Sequence, residues 1–326
     1  MEMMEGAELC FPQLNTSCRK PEPPHSDYVF AYILLSFISL LTVTLNLLVI
    51  ISISHFRQLH TPTNLLLLSL AVSDFLVGLF VMPAEILLTT TCWILSDLTC
   101  ALYYLLPVIT ISASVGSMVL ISVDRYVAIC DPLHYPAKVT PKIGSVCVFL
   151  CWVYAVIYGV FLLYDNLKQP GRYNSCDGEC VVIITGAVDL VLGFIIPIAV
   201  IMLLYMRVFV VAVSQARAMK SHTECGSIKH AKTVKVKKSE IKAAKTLGIL
   251  IVVFLMCYSP YYCVSLTGHD ILIGSSTEAF MIFLMYFNSC LNPVIYALFY
   301  PWFKKATRLI VTLQILQADS CEACLL

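Results

Sequence analysis

Of the 326 residues, 59% are hydrophobic and 13% charged, about half the 25% charged content of an ordinary soluble domain. That balance excludes a water-soluble globular protein, and spans of about 20 residues each leave little length for a soluble domain. The net charge of +1 excludes neither side of a membrane until the position of each charge is known.

The first 27 residues are polar, contain Pro21, Pro23 and Pro24, and lack the basic start and apolar core of a cleaved signal peptide. They read as an exposed tail. Asn15-Thr16-Ser17 is an N-x-S/T acceptor for glycosylation, meaningful only if this end lies outside the cell. A first apolar run goes from Tyr28 to about Ile53, and the polar HFRQLHTPT turns the chain back. The second starts near Asn64, carries Asp74, and has Glu85 near its far end. The third follows Cys100 and ends in Asp124-Arg125-Tyr126, before a short loop broken by Pro132 and Pro136. The fourth extends from about Gly144 to Tyr164 around Trp152. The fifth, Val181 to Arg207, holds Asp189 and leads into a loop with Arg217, Lys220, Lys229, Lys232, Lys235, Lys237 and Lys238. The sixth, about Ala243 to Leu266, contains MCYSPYY; the seventh, about Phe280 to Phe299, contains NSCLNPVIY and stops before Pro301. The expected fold is an all-α membrane protein: tail 1–27, seven-transmembrane helix bundle 28–300, and a short cytoplasmic amphipathic helix and tail over 301–326.

Of 21 Lys and Arg, Arg19, Lys20, Lys168 and Arg172 share the side of the amino terminus, and the other 17 lie opposite. The positive-inside rule therefore places the amino terminus outside and the basic fifth-to-sixth loop in the cytoplasm. Six of the 15 cysteines (Cys10, Cys18, Cys92, Cys100, Cys176 and Cys180) fall in outer segments, an even number in an oxidising compartment. Cys100 is expected to pair with Cys180, tying the third helix to the loop that enters the fifth. Cys10 and Cys18 are expected to join Cys176 and Cys92, in an order that spacing leaves open. Cys321 and Cys324 sit in the cytoplasmic tail, where palmitoylation is an option.

Asp189 demands the most explanation. A carboxylate at the centre of a membrane helix costs about 2.5–3.5 kcal/mol even on the lenient insertion scale, so something must compensate it. If the helix begins near Val182, Asp189 lies roughly 10 Å below the outer surface, within reach of a small solute. On residue type alone two partners are equally weighted: the ammonium group of a ligand, or a neighbouring hydroxyl or water.

Asn46, LAVSD with Asp74, DRY at Asp124 to Tyr126, Trp152, Pro197, CYSP at Cys257 to Pro260 and NPVIY at Asn292 to Tyr296, each in its own run and in order, resemble the rhodopsin-like G-protein-coupled receptors. Asn288 to Phe303, NSCLNPVIYALFYPWF, is similar to the signature of the trace amine-associated receptors, most of which are olfactory detectors of volatile amines. The resemblance implies a plasma-membrane receptor that binds a small protonated amine and activates a stimulatory G-protein. Aminergic receptors generally carry an aspartate seven residues after the third-helix cysteine; here that position is Pro107. Asp189, eight residues before Pro197, supplies a carboxylate from across the same cavity. This is similar to a branch expanded in fishes, in which the amine-binding acid has moved to the fifth helix, and it tips the balance at Asp189 toward a ligand ammonium.

With Asp189 as anchor, Tyr261, Tyr262 and Tyr286 are candidate aromatic walls for the cation. Tyr258, on one helical face with Tyr261 and Tyr262, is read as packing, in the place where the family has a switch tryptophan. Glu85 could hold a second amine or be a hydrogen-bonded acid. On the inner side the resemblance assigns Asp124, Arg125 and Glu240 to an inactive-state ion pair, Tyr205 and Tyr296 to restraining Arg125 in the active form, and Tyr126, Tyr258, Asn292 and Pro293 to activation and G-protein coupling. Asp74, Ser114, Asn288 and Asn292 could bind a sodium ion, the one cofactor expected, or enclose a water-filled polar cluster. Contact of the basic loop with a G-protein or anionic lipid is a weaker inference.

Other classes fit less well. Seven runs do not divide into the matching halves of a transporter. No HExxH motif occurs and no His lies mid-span, against an intramembrane enzyme. The seventh run has no lysine for a retinal Schiff base. The runner-up is a receptor for a non-amine small molecule with Asp189 structural.

Overall fold

The computed structural model describes residues 8–20, 26–184, 186–223, 246, 248–263, 276–317, 320–322 and 325. Among these, six helices are long and apolar enough to cross a membrane: Tyr32–His55, Pro62–Leu88, Asp97–Cys130, Pro141–Leu162, Gly186–Ser214 and Phe280–Phe299. A shorter apolar helix, Gly248–Cys263, falls between the last two. No strand occurs among the described residues. The chain is an all-α bundle of membrane helices, referred to below as first to seventh in chain order.

Local chemistry starts several of these helices. Thr61 and Thr140 each cap a helix by accepting from the backbone N–H three residues on, and each is followed by proline, whose missing N–H costs nothing at the first helical position. Ser96 caps the third helix in the same way, through Thr99.

Between helices, where lipid supplies no hydrophobic drive, small and polar residues make the joins. Trp152 Nε1 donates to Ser69 Oγ, which lies 2.9 Å from Ser117 Oγ, so one serine links the second, third and fourth helices. Asn46 Nδ2 donates to the Ser289 carbonyl and joins the first helix to the seventh. The second helix widens into a π turn at Val77–Val81, and the Gly78 carbonyl there accepts from Ser39 Oγ at 2.7 Å. A Cβ on Gly78 would stand 2.9 Å from Thr42, so glycine is what allows this close approach of the two helices.

Beyond the seventh helix, Pro301–Val311 forms a separate helix that buries Trp302, Phe303 and Ala306 and exposes Lys304 and Lys305, the amphipathic helix expected there. The chain then returns to the first turn of the bundle: Gln58 donates to the Glu322 carbonyl and accepts from the Leu325 N–H, and Leu325 is buried.

The end of the bundle that carries the amino-terminal tail is closed by covalent bonds, Cys10–Cys92, Cys18–Cys176 and Cys100–Cys180. The expected Cys100–Cys180 pair is present, and the order left open by spacing is resolved. Residues 8–20 fold back on themselves, with Cys10 N donating to Cys18 O and Lys20 N to Glu8 O. They also add to the fourth-to-fifth loop through Cys18 N to Asp177 O and Asp177 N to Thr16 O. Gly178, at φ +101°, could carry no Cβ without meeting Cys10 at 2.9 Å. On the exposed surface of this tail, a hydrogen bond from Lys20 lowers the pKa of the Glu8 carboxyl.

One expectation is corrected. The fifth helix does not begin near Val182: residues 181–184 are non-helical and helix begins at Gly186. Side-chain amides take the backbone partners that a helix would need. Val181 N donates to Asn174 Oδ1, while Asn166 Nδ2 donates to Ile183 O and its Oδ1 accepts from Ile183 N. With Cys180 tied to Cys100, the β-branched VVII run is held extended, as its composition favours. Asp189 therefore stands three residues inside the span at Gly186, about 5 Å along the axis rather than 10.

Candidate functional site

Asp189 opens a π turn, Asp189–Ile195, and its carboxylate is turned toward neighbouring helices. Oδ1 accepts from Tyr158 Oη of the fourth helix at 2.9 Å, and Oδ2 from Tyr262 Oη of the sixth at 3.2 Å. An ionised carboxylate has about four lone-pair directions; two phenols use half of them. The arrangement thus both compensates the acid and leaves it able to accept from an ammonium. Tyr262 is fixed by stacking on Phe194, 4.2 Å between centroids, and by Tyr261 meeting it edge-on at 5.2 Å.

Gly193 provides the room for this group. A Cβ there would lie 2.7 Å from Asp189 Oδ1 and 3.1 Å from Tyr158 Oη. Neither Tyr158 nor Gly193 was singled out from sequence. Gly193 had a signal, the i+4 position from the acid, which shares its helical face; Tyr158 belongs to no motif and is placed only by the packing of the fourth helix on the fifth.

The candidate ligand residues fall into two groups. Asp189, Tyr261 and Tyr262 form the first. In the second, Glu85 Oε2 accepts from Tyr103 Oη at 3.3 Å and from Tyr286 Oη at 3.5 Å. Tyr258 joins neither: it is buried and stacked on Phe254 at 4.4 Å, the packing role expected for it. Pro107 lies inside the third helix, where it cannot donate to the carbonyl one turn before it.

In the middle of the bundle, Asp74 is wholly buried, and its Oδ2 accepts from Asn292 Nδ2 at 2.8 Å. Asp74 Oδ1, Ser114 Oγ and Asn288 Nδ2 have no hydrogen-bond partner among the described residues. A carboxylate and a hydroxyl with oxygens to spare suit a hard cation, and an amide can present either its oxygen or its nitrogen. Pro293 follows Asn292 within the seventh helix. Tyr296 is wholly buried, with no hydrogen-bond partner for its hydroxyl among the described residues.

At the opposite end, Arg125 Nη2 pairs with Asp124 Oδ2 at 2.6 Å. Asp124 also accepts from Thr63 Oγ1 and Tyr135 Oη, both at 2.8 Å, so the second and third helices and the short helix Tyr135–Lys138 meet on one carboxylate. Outside the spans, burial pushes the Tyr135 phenol above its usual pKa, while Asp131 is held below the usual carboxylate range by Lys138 and then His134. Tyr126 packs with Ile129 and Val208. Tyr205 places its hydroxyl against Gly248 of the sixth helix, where a Cβ would overlap it. Glu240 lies outside the described residues.

A seven-helix bundle with a polar centre, an acid near one end and an arginine cluster at the other corresponds to a known class. Residues 45–296 match the 7 transmembrane receptor family (rhodopsin family). The protein is a multi-pass membrane receptor of that class and not an enzyme. It is 38% identical to Trace amine-associated receptor 7d of Rattus norvegicus, over 96% of this chain and 90% of that one. It is also 38% identical to Trace amine-associated receptor 13c of Danio rerio, over 98% and 96%, and 37% identical to Trace amine-associated receptor 6 of Pan troglodytes, over 98% and 95%. The chain belongs to the trace amine-associated receptors of the rhodopsin family.

Proposed function

We propose that this receptor detects a small protonated amine outside the cell and that Asp189 is the counter-ion for its ammonium group. The observation that carries the reading is the Asp189 carboxylate held between Tyr158 and Tyr262, with proline where the third helix would otherwise present an acid. A carboxylate gains most from a partner that is itself charged and donates hydrogen bonds, and the tyrosine faces add about 0.5–2 kcal/mol each. The three disulfides at the tail-bearing end and the 17 Lys and Arg opposite support an extracellular amino terminus at the plasma membrane. Asn15 is then open to glycosylation. An olfactory role and a stimulatory G-protein rest on the resemblance of the seventh helix alone.

Inside the cell, a heterotrimeric G-protein is received where the Asp124–Arg125–Tyr135 cluster holds the bundle closed. Asp74, Ser114, Asn288 and Asn292 are the residues that would hold a sodium ion, which would balance the buried Asp74 charge.

The test is an amine panel on cells expressing wild type and Asp189→Asn, with surface level measured in both. Loss of response with trafficking retained is expected. A second reading, a non-amine ligand with Asp189 structural, draws on the fact that both its oxygens already accept from phenols. It predicts that wild type itself answers no amine on the panel and that Asp189→Asn traffics poorly. Potency should also track the cationic fraction of each amine as pH is varied; equal potency of a permanently neutral analogue would falsify the charge mechanism.

A further inference from the structure

The second acid, like the first, lies near the tail-bearing end of its helix. Glu85 stands three residues inside the end of its span at Leu88, as Asp189 stands three residues inside the start of its own at Gly186. At about 1.5 Å per residue each carboxylate lies within roughly 8 Å of the tail-bearing end of its helix, one on the second helix and one on the fifth.

The surroundings of Glu85 are suited to a cation. The phenols of Tyr103 and Tyr286 converge on Oε2 from the third and seventh helices at 3.3 and 3.5 Å. These separations are long beside the 2.9 Å that ties Tyr158 to Asp189, and a phenol oxygen can itself accept from an ammonium N–H. Tyr103 is part of an aromatic wall, meeting Tyr104 edge-on at 5.2 Å and Trp93 at 6.2 Å. Ring faces of this kind attract a positive charge. An independent feature lies on the same turn: Pro107, four residues after Tyr103, has no N–H to give the Tyr103 carbonyl. The proline that stands where an acid would be on the third helix thus also leaves the Tyr103 carbonyl without its usual helical donor.

We propose that Glu85, Tyr103 and Tyr286 form a second ammonium subsite, and that the ligand is a flexible diamine lying across the bundle with one ammonium on Asp189 and the other on Glu85. This rests on the reading of Asp189 as the first anchor. The chemistry is that of two charge-assisted donor sets separated by an apolar chain, which a monoamine satisfies at one end only. Diamines should therefore exceed monoamines of equal chain length in potency, with an optimum length set by the distance between the two acids.

The experiment uses full-length receptor in cells, a series of α,ω-diaminoalkanes with the matching monoamines, and surface level measured for every variant. A hydrogen bond to a charged group is worth about 1.5–3 kcal/mol, so Glu85→Gln should lower diamine potency relative to the matched monoamine by about 10- to 100-fold. Equal loss for both ligands, or wild-type diamines no more potent than monoamines, overturns the proposal. If Glu85→Gln does not reach the surface, Glu85→Asp decides. It keeps the charge but withdraws it by one methylene, so the optimum diamine should lengthen, and an unchanged optimum overturns the subsite. Failure of the first anchor gives a different pattern, since Asp189→Asn would then leave diamines and monoamines alike undiminished whatever happens at Glu85.

Discussion

The two ends of the bundle are held together by different forces. At the tail-bearing end three disulfides cross-link the tail, the third helix and both loops above the acids. At the opposite end the second and third helices and the short helix Tyr135–Lys138 meet through hydrogen bonds on Asp124, which also pairs with its neighbour Arg125, and the fifth and sixth meet through the Tyr205 hydroxyl lodged against Gly248. Covalent closure cannot open on binding, whereas each polar contact at the other end is worth only about 0.5–3 kcal/mol. A ligand that draws the fourth, fifth and sixth helices together at Asp189 therefore meets a fixed frame at one end and a yielding one at the other. The difference explains how an event at the first can be expressed as movement at the second.

The largest expected effect comes from breaking the fixed end. Cys100 and Cys180 are separated by 80 residues, and removing a native bridge typically costs about 2–5 kcal/mol. The Cys100→Ala/Cys180→Ala pair should markedly lower surface level and the thermal midpoint of solubilised receptor. Unchanged values for both would show that the frame is held by packing and not by the bridge.

A finer cut at the same end is Gly193→Ala. Its methyl group would stand 2.7 Å from Asp189 Oδ1, so the carboxylate must turn away from Tyr158. Loss of one charge-assisted contact corresponds to about 10- to 100-fold in amine potency, and surface level should hold because the change is confined to the site. Concentration–response curves on surface-matched cells check this; wild-type potency would place Asp189 elsewhere.

The smallest effect tests the yielding end. Gly248→Ala puts a methyl where the Tyr205 phenol now rests. Overpacking of this kind costs about 1–3 kcal/mol, paid only while the fifth and sixth helices stay in the present arrangement. Agonist-independent signalling should rise about 5- to 30-fold. A basal level that does not move would show that the contact is incidental to the closed form.

Much of this was legible in the residues. Apolar runs and the prolines that break them marked the helices, and the even set of outer cysteines marked the cross-linked end. Asp189 stood out because charge inside a membrane requires an explanation, whereas Asp124 with Arg125, and Asp74 with Asn292, were picked out by the resemblance of their motifs. The start of the fifth helix was misplaced because VVII is apolar enough to continue the span; the competitor was a pair of asparagines, Asn166 and Asn174, whose amides take its backbone bonds. Tyr158 was missed for a similar reason, since a tyrosine in an apolar run carries no sign of which carboxylate it will meet.

By itself the order of amino acids determined the class, because burying backbone in lipid permits only helices for runs of this length and composition. Which acid meets which phenol and which cysteine meets which were decided only when the helices packed. Such contacts join residues far apart in the chain, and their geometry follows from where whole helices come to rest.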